Sequence, residues 1–208
     1  MRLASEEAYE QIKDKIITLE LEPASVIDEQ ALMDQLGLGR TPIREALQRL
    51  SADGLVHIVP RRGMFVTDIS ITDLQHIFEV RTALAGFCAR LAAQRITPDL
   101  VAEMRTMLQD LEHVKPGDFK SLMEIDRSFQ RVLYRASGND ILAKTLDRLY
   151  DLSLRIWYLV LNRLGDVQTS IKQHRELADA LEAGDGDRAE ALIQHHITQF
   201  QHRIKAVL

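Results

Sequence analysis

The sequence predicts a mainly α-helical protein with two domains, a winged helix-turn-helix domain over residues 1–70 and an all-α helical bundle over residues 71–208. Three observations predict this fold class. A glycine turn separates two short helical segments from a third, two strand-like segments follow, and from Thr72 onward the pattern is purely helical. With 208 residues, 46% of them hydrophobic and 27% charged, the chain is long and apolar enough to bury a proper core.

The first two helices are predicted from their caps and their apolar spacing. Ser5 is expected to cap the first helix, because a serine hydroxyl can accept a hydrogen bond from a free backbone amide there. The apolar positions of that helix repeat at 3.6-residue spacing and are Ala8, Ile12, Ile16 and Leu19. Asp28 is expected to cap a second, shorter helix that ends at Leu36.

A third helix and a hairpin complete the N-terminal domain. The tight turn "GLG" at 37–39 precedes the helix, which has Pro42 in its first turn and ends near Gly54. Its inner face consists of Ile43, Ala46, Leu47 and Leu50. The segments "LVHIV" and "MFVTDI" are typical of short strands, and "PRRG" between them supplies a glycine for the turn. This order of elements indicates a winged helix-turn-helix.

The C-terminal domain is predicted to contain six helices. Breaks at "TPD", "KPGD", "SGND" and "GDGD" separate most of them, because glycine, proline and aspartate interrupt helices. The predicted segments are about 72–95, 98–113, 118–136, 139–164, 168–183 and 186–206.

Cysteine usage and hydropathy exclude several protein classes. The single cysteine, Cys88, excludes an intrachain disulfide and fits a reducing compartment. The longest strongly apolar run, "IWYLVL" at 156–161, is too short to cross a bilayer. We therefore expect a cytoplasmic protein without a membrane partner.

The charge distribution favours a nucleic-acid partner at one place only. The net charge is −5, but five arginines against Glu45 and Asp53 give +3 between residues 40 and 62, which leaves −8 for the rest. A small basic surface on an acidic protein is a plausible DNA-binding feature that the average charge hides.

Arginines occupy the two parts of a winged helix-turn-helix that approach DNA. The third helix would enter the major groove, where arginine bonds guanine bidentately, and the hairpin tip would reach phosphates or a minor groove. The alternative is a solvated arginine surface with the hairpin as a simple cap. The candidate DNA-binding residues are Arg40, Thr41, Arg44, Arg49, Arg61, Arg62 and Gly63.

Four helices of the C-terminal domain direct polar groups into their apolar faces. These groups are Asp126 and Gln130, His174, His196 and Arg81. A carboxylate with imidazoles is a set of ligands for a divalent metal, and a buried arginine suits a carboxylate or phosphate ligand. An internal ion pair of Arg81 with Asp126, with the histidines as hydrogen-bond partners, is the alternative, and the spacing leaves both open.

The segment "LGLGRTPIREALQRLSADGLVHIVPRRGMFV" resembles the DNA-binding signature of the GntR family of bacterial transcriptional regulators. The resemblance implies that Arg40, Thr41 and Arg44 contact operator DNA and that the wing at Arg62 and Gly63 reaches the minor groove. Gly39 replaces the serine or threonine cap usual in the family, and Gln30 replaces an arginine that touches the DNA backbone in many members.

The remainder resembles the FCD effector domain of FadR-type regulators, through "EVRTALAGFCARLAA", "DRSFQRVLYRASGN" and "QHRELADALEAGDGDRAEALIQHHI"; six helices suggest the VanR-like version. The resemblance implies that Asp126, His174 and His196 hold a divalent metal such as zinc, nickel or manganese. Gln130 stands where the family has a fourth ligand, a histidine, so weaker metal binding is expected. Ala85 replaces a glutamate usual in the family.

The resemblance also implies a small carboxylate metabolite as effector. Arg81 is the expected anchor of its carboxylate, and Gln130, Tyr134 and Asn139 are candidate residues of the effector pocket. The sequence is thus expected to encode a ligand-responsive regulator rather than an enzyme, by default a repressor, that binds a pseudo-palindromic operator as a homodimer. Two alternatives are a metal-dependent hydrolase with a basic appendage and a sensor of the metal alone.

Overall fold

A computed structural model of the protein describes residues 3–115, 117–160 and 169–206. The first elements are α1 Ala4–Ile17, α2 Glu29–Leu36, α3 Arg40–Ala52, β1 Val56–Val59 and β2 Gly63–Val66. The helices that follow are α4 Ile71–Arg95, α5 Pro98–Glu112, α6 Phe119–Ala136, α7 Asp140–Val160, α8 Thr169–Glu182 and α9 Gly186–Lys205. This architecture, helices with one small antiparallel hairpin after the third, confirms the predicted fold class.

The start and the end of α1 differ from the prediction. Leu3, not Ser5, is the N-cap residue, with extended backbone angles and no side-chain hydrogen bond. Ser5 lies inside the helix, where its backbone is already helical, so it cannot cap. The helix ends at Ile17, and Leu19 lies beyond it with a φ of 63°. The expected cap at Ser5 and the extension to Leu19 were therefore wrong.

The caps of α2 and α3 agree with the sequence. The Asp28 carboxylate accepts hydrogen bonds from the backbone amides of Gln30 at 2.8 Å and Ala31 at 3.0 Å. Gly37 ends α2 in the left-handed conformation, with a φ of 64°. Gly39 is the N-cap residue of α3 and offers no side-chain bond to the free amides.

The hairpin and α1–α3 enclose the core of the N-terminal region. In the hairpin, Val56 pairs with Val66 and Val59 with Gly63. A bridge between Val26 and Phe65 joins the segment before α2 to β2. The buried core contains residues of all three helices and both strands, among them Ala8, Ile12, Leu32, Ile43, Leu47, Leu50, Val56 and Val66.

Contacts along the backbone divide the chain into two compact units. The first comprises Met1–Leu74 with Asp151–Leu159, and the second comprises Gln75–Tyr150 with Val160–Leu208. Helix α7 thus contributes its C-terminal part to the first unit. The predicted domain boundary after residue 70 stays a prediction.

Three side chains of α7 belong to the packing of the first unit. Leu152 packs against its hydrophobic core. Asp151 Oδ2 lies 3.7 Å from Lys13 Nζ, and both side chains are buried. Arg155 donates a hydrogen bond to the Thr67 carbonyl at 2.6 Å, while burial lowers the pKa of this arginine to about 10.

The helices after residue 70 follow the predicted pattern. Within the described ranges there are six, and at all four predicted breaks the observed helix ends agree with the predicted ones to within one residue. The predicted end of the fourth segment at 164 and the start of the fifth at 168 lie outside the described residues. None of the helices in the described part of the chain has the length and apolarity needed to cross a membrane.

Candidate functional site

Helix α6 places an acid and an amide on one buried face. Asp126 and Gln130 lie one turn apart, and only 7% and 1% of their surfaces are exposed. Asp118 fixes the start of the helix, since its side chain accepts a hydrogen bond from the Ser121 amide. The prediction that both side chains point inward from a single apolar face agrees with this burial.

Two histidines from α8 and α9 meet Asp126. His174 Nε2 is 2.7 Å from Asp126 Oδ1, and His196 Nε2 is 3.8 Å from the same oxygen. One ligand atom from each of the three residues lies within 4.8 Å of the others. All three side chains are buried, so residues of α6, α8 and α9 form one polar cluster inside the second compact unit, the helical unit.

Tyr150 and Gln173 complete the hydrogen bonding of this cluster. The Tyr150 hydroxyl donates to Asp126 Oδ2 at 2.6 Å. His196 Nδ1 is 2.9 Å from Gln173 Oε1, and because this oxygen only accepts, the proton lies on Nδ1. His196 Nε2 therefore presents its lone pair towards Asp126.

Burial and neighbouring charges set the protonation states in the cluster. Burial, with a contribution from His174, lowers the pKa of His196 to about 3, so its imidazole is neutral. Burial alone would raise the pKa of Asp126, but its contacts with His174, then His196 and Tyr150, hold the pKa below its ordinary value. An ionised carboxylate thus faces a neutral imidazole.

This arrangement fits a divalent metal. The ligand atoms of a tetrahedral site with bonds of about 2.0–2.1 Å lie roughly 3.3 Å apart. The distances of 2.7 and 3.8 Å from Asp126 Oδ1 bracket that spacing. The second nitrogen of His196 is also fixed by a hydrogen bond, as is usual for metal-binding histidines. One carboxylate and two imidazoles suit zinc, nickel or manganese.

Several buried polar atoms beside the cluster lack protein partners. Within the described residues, no hydrogen bond is formed by the following buried groups: the oxygen and nitrogen of the Gln130 amide, Arg81 Nε and the Tyr134 hydroxyl. Burial raises the pKa of Tyr134, while the nearby charge of Arg81 acts against that rise. Such atoms are costly to bury without a partner, and a bound ligand would satisfy them.

Arg81 does not neutralise Asp126. Its guanidinium lies over the Tyr150 ring, 4.8 Å from the centroid. Among the residues described, Asp126 is paired with His174 and Tyr150 instead. The expected Arg81–Asp126 ion pair is thus absent among the described residues, whereas the histidine hydrogen bonding that the same alternative expected is present at His174.

The last candidate of the effector pocket has a structural role. Asn139 is half-buried, and its side-chain oxygen accepts a hydrogen bond from the Leu142 amide at 3.1 Å at the start of α7. A contribution of Asn139 to an effector pocket stays a prediction.

The predicted DNA-binding residues lie on the surface of the first unit. Arg40, Thr41 and Arg44 are exposed at the N-terminal end of α3, and so is Gln48 one turn after Arg44. Arg61, Arg62 and Gly63 are exposed at the tip of the hairpin.

Two of the arginines on α3 are held by acids of other helices. Arg44 Nε donates to Glu29 Oε2 at 2.7 Å, and a second nitrogen is 3.3 Å from Glu29 Oε1. Arg49 pairs with Glu6 at 2.7 Å and lies over the Tyr9 ring at 4.1 Å. Arg49 thus joins α3 to α1, and its contact with DNA stays a prediction.

Comparison with known proteins assigns the N-terminal and the C-terminal part of the chain to known protein families. Residues 4–66 match the family model described as bacterial regulatory proteins of the gntR family, and residues 76–199 match the FCD domain. The chain belongs to the GntR family. As a GntR-family protein with an FCD domain, it is a bacterial transcriptional regulator with a winged helix-turn-helix for DNA binding.

Relatives extend over nearly the whole chain. The HTH-type transcriptional repressor RspR of Escherichia coli K12 is 23% identical over 207 residues, which cover 98% of this chain and 90% of RspR. A probable D-xylose utilization operon transcriptional repressor of Paenarthrobacter nicotinovorans is 29% identical and covers 84% of this chain, with 76% of its own length matched. Both relatives are named as repressors of transcription.

A solved structure shares the fold. The structure of E. coli McbR/YncC superposes with a TM-score of 0.88 and 22% sequence identity, and the match covers 99% of both chains. This similarity concerns the fold of the GntR-family protein alone.

Proposed function

We propose that this GntR-family regulator binds operator DNA as a homodimer and responds to a small organic acid that binds in its helical unit. Two copies of the N-terminal unit related by a two-fold axis would match the half-sites of a pseudo-palindromic operator. Repression is the expected sign of regulation. The exposed arginines at the start of α3 and at the hairpin tip support the DNA contact.

The polar cluster of the helical unit carries the effector proposal. Asp126, His174 and His196 would hold a divalent metal, and Gln130 would bind it weakly or contact the effector instead. A divalent ion bound there would offer an open coordination position to a carboxylate oxygen. Arg81 would pair with the carboxylate of the effector, and Tyr134 would donate to it, because Arg81 Nε and the Tyr134 hydroxyl are buried without a hydrogen-bond partner among the described residues.

Regulation then requires two states of the protein with different affinities for the effector. The effector shifts the population towards the state that it binds more tightly, and only this differential affinity can change operator binding. Buried contacts of the effector with Arg81 and Tyr134 are the interactions by which such a difference would arise.

A second candidate is a regulator that senses the metal alone. The observation in its favour is that Asp126, His174 and His196 by themselves bring three ligand atoms within 4.8 Å of one another. Under this proposal the metal by itself would change operator affinity, and added acids would have no further effect.

The test is a titration of operator binding with metal and organic acids added separately and together. The operator would be a duplex selected by the protein from a random-sequence library, and binding would be followed by fluorescence anisotropy. The main proposal expects an acid to change the affinity only when the metal is present. The His174→Ala, His196→Ala double variant should lose this response while keeping its helical circular dichroism.

Two results would contradict parts of this proposal. Metal analysis of protein purified without chelator, followed by titration with zinc, nickel and manganese, would refute the metal site if no ion bound. A response to metal that no acid alters would favour the metal sensor. Screening acids by thermal shift supplies candidates, since a ligand of the folded state raises its melting temperature.

A further inference from the structure

The fork between Glu29 and Arg44 joins the first residue of α2 to the DNA-facing surface of α3. Both carboxylate oxygens take part, since Arg44 Nε donates to Oε2 at 2.7 Å and a terminal nitrogen lies 3.3 Å from Oε1. Such bidentate pairs are more directional than ordinary surface ion pairs. The hydrogen bond from Arg44, and then its charge, lower the pKa of Glu29.

Both ends of this fork are attached to fixed backbone. Glu29 directly follows Asp28, whose carboxylate caps α2. The preceding Ile27 amide donates to the Met64 carbonyl of β2 at 2.8 Å, so the start of α2 is fixed to the wing. Arg44 is flanked on α3 by Ile43 and Ala46, which are completely buried. The helix backbones that carry the two side chains are thus fixed, and the fork is the contact that orients the exposed Arg44 guanidinium.

The geometry leaves one edge of Arg44 available. A guanidinium has five N–H groups, and the fork uses the Nε–H and one N–H of a single terminal nitrogen. The two terminal nitrogens keep a pair of N–H groups on the end of the guanidinium, the edge next to the fork, and this kind of edge bonds the O6 and N7 atoms of guanine. The Arg44 side chain is 55% exposed, compared with 26% for Glu29.

We infer that Glu29 is a positioning residue that holds Arg44 ready to read one guanine of the operator. This inference rests on the proposed operator binding. Glu29 brings a negative charge towards the phosphates, which opposes binding to any DNA. It therefore contributes to the choice of sequence rather than to affinity in general, because a pre-oriented arginine makes its two bonds only at one base position.

The test measures base discrimination with the full-length protein. A duplex is first selected from a random-sequence library by the unaltered protein, and each guanine is then replaced in turn. The Arg44→Ala variant identifies the guanine that Arg44 reads, whose replacement should weaken binding of the unaltered protein by about 5- to 150-fold. At this guanine, Glu29→Gln should lose most of the discrimination, while its binding to an unrelated duplex stays equal or becomes tighter.

Controls separate positioning from effects of charge and of folding. Glu22→Gln removes one exposed acid from the same unit, so it should keep the discrimination. The Glu29→Gln, Arg44→Ala double variant should discriminate no less than Arg44→Ala alone, because both changes act through one contact. If Glu29→Gln fails to fold, Glu29→Asp keeps the charge but shortens the reach, and it should show reduced discrimination at the same guanine.

Three results would overturn the inference. The first is that Glu29→Gln discriminates between bases as well as the unaltered protein does. The second is that Glu29→Gln binds the operator more tightly with full discrimination, which would mean that Glu29 keeps Arg44 from the DNA instead of orienting it. The third is the absence of any guanine whose discrimination depends on Arg44. If the unaltered protein selects no sequence at all, operator binding itself fails, a result distinct from these three.

Discussion

Gln130 is the residue at which this protein departs most informatively from a complete set of metal ligands. Its amide is 1% exposed and lies one turn from Asp126, and within the described part of the chain neither of its atoms has a hydrogen-bond partner. Gln130→His should raise the affinity for zinc or nickel by about tenfold or more, equivalent to about 1.4 kcal/mol, because imidazole is a better ligand than a neutral amide. Competition with a chromophoric chelator would measure the change.

A matched control for this substitution is Gln35→His. Gln35 is an exposed residue of α2, so a histidine at this position should not alter the metal affinity of the helical unit. Equal affinities of Gln130→His and the unaltered protein would show that residue 130 does not face the metal.

Tyr150 contacts the same cluster through the second carboxylate oxygen of Asp126. Its hydroxyl donates to Asp126 Oδ2 at 2.6 Å, and burial followed by the charge of Asp126 raises the pKa of the tyrosine well above its ordinary value. Tyr150→Phe should lower metal affinity by about 10- to 100-fold, since partners of this kind orient the ligand. Isothermal titration would compare it with Tyr158→Phe on the same helix, and equal losses would argue against a specific role.

At this scale the sequence could predict the buried polar residues of the cluster but not their hydrogen-bond partners. Asp126, His174 and His196 are polar residues at apolar positions, and burial of such residues is informative by itself. Tyr150 and Gln173 carry no such signal, because tyrosine is common on apolar faces and glutamine on polar ones. Their partners are 24 and 23 residues away in the chain and lie on other helices, and the periodicity of one helix does not show which residues of another helix it contacts.

Among the elements, α3 begins without a capping side-chain hydrogen bond, as α1 does. Its N-cap, Gly39, has an extended backbone that serine also adopts, and a Cβ there would meet only Pro42 Cδ at 3.9 Å. Gly39→Ser should therefore raise the free energy of unfolding by a few tenths of a kcal/mol, whereas Gly39→Ala should lower it. Urea denaturation of both variants gives the comparison, and a serine variant no more stable than the alanine variant would exclude a capping bond.

Elements were predictable where a cap or a glycine marks an end, as at Asp28 and Gly37. Leu3 could not be predicted as a cap, because its side chain makes no capping bond. The packing of the C-terminal part of α7 was not predictable either. An apolar face shows that a helix is covered, but not which residues cover it, and here Leu152 packs on the core of the first unit.

The molecule as a whole carries opposite charges in different parts of its sequence. The net charge is −5, while residues 40–62 carry +3. Long-range repulsion from the acidic remainder should make binding to DNA depend on a small number of arginine contacts with phosphates. Each such contact releases condensed counterions, so the logarithm of the affinity falls linearly with the logarithm of salt concentration.

This dependence gives a prediction for the wing. If Arg62 contacts a phosphate, Arg62→Gln should reduce the slope of that line by about one and weaken binding to operator and unrelated DNA alike. Anisotropy titrations at several salt concentrations measure the slope. Arg105→Gln is the control, because it removes the same charge from the helical unit. Arg105 lies on α5 and forms ion pairs with Asp179 and Glu182. An equal reduction in both variants would assign the effect to net charge and not to a contact of the wing.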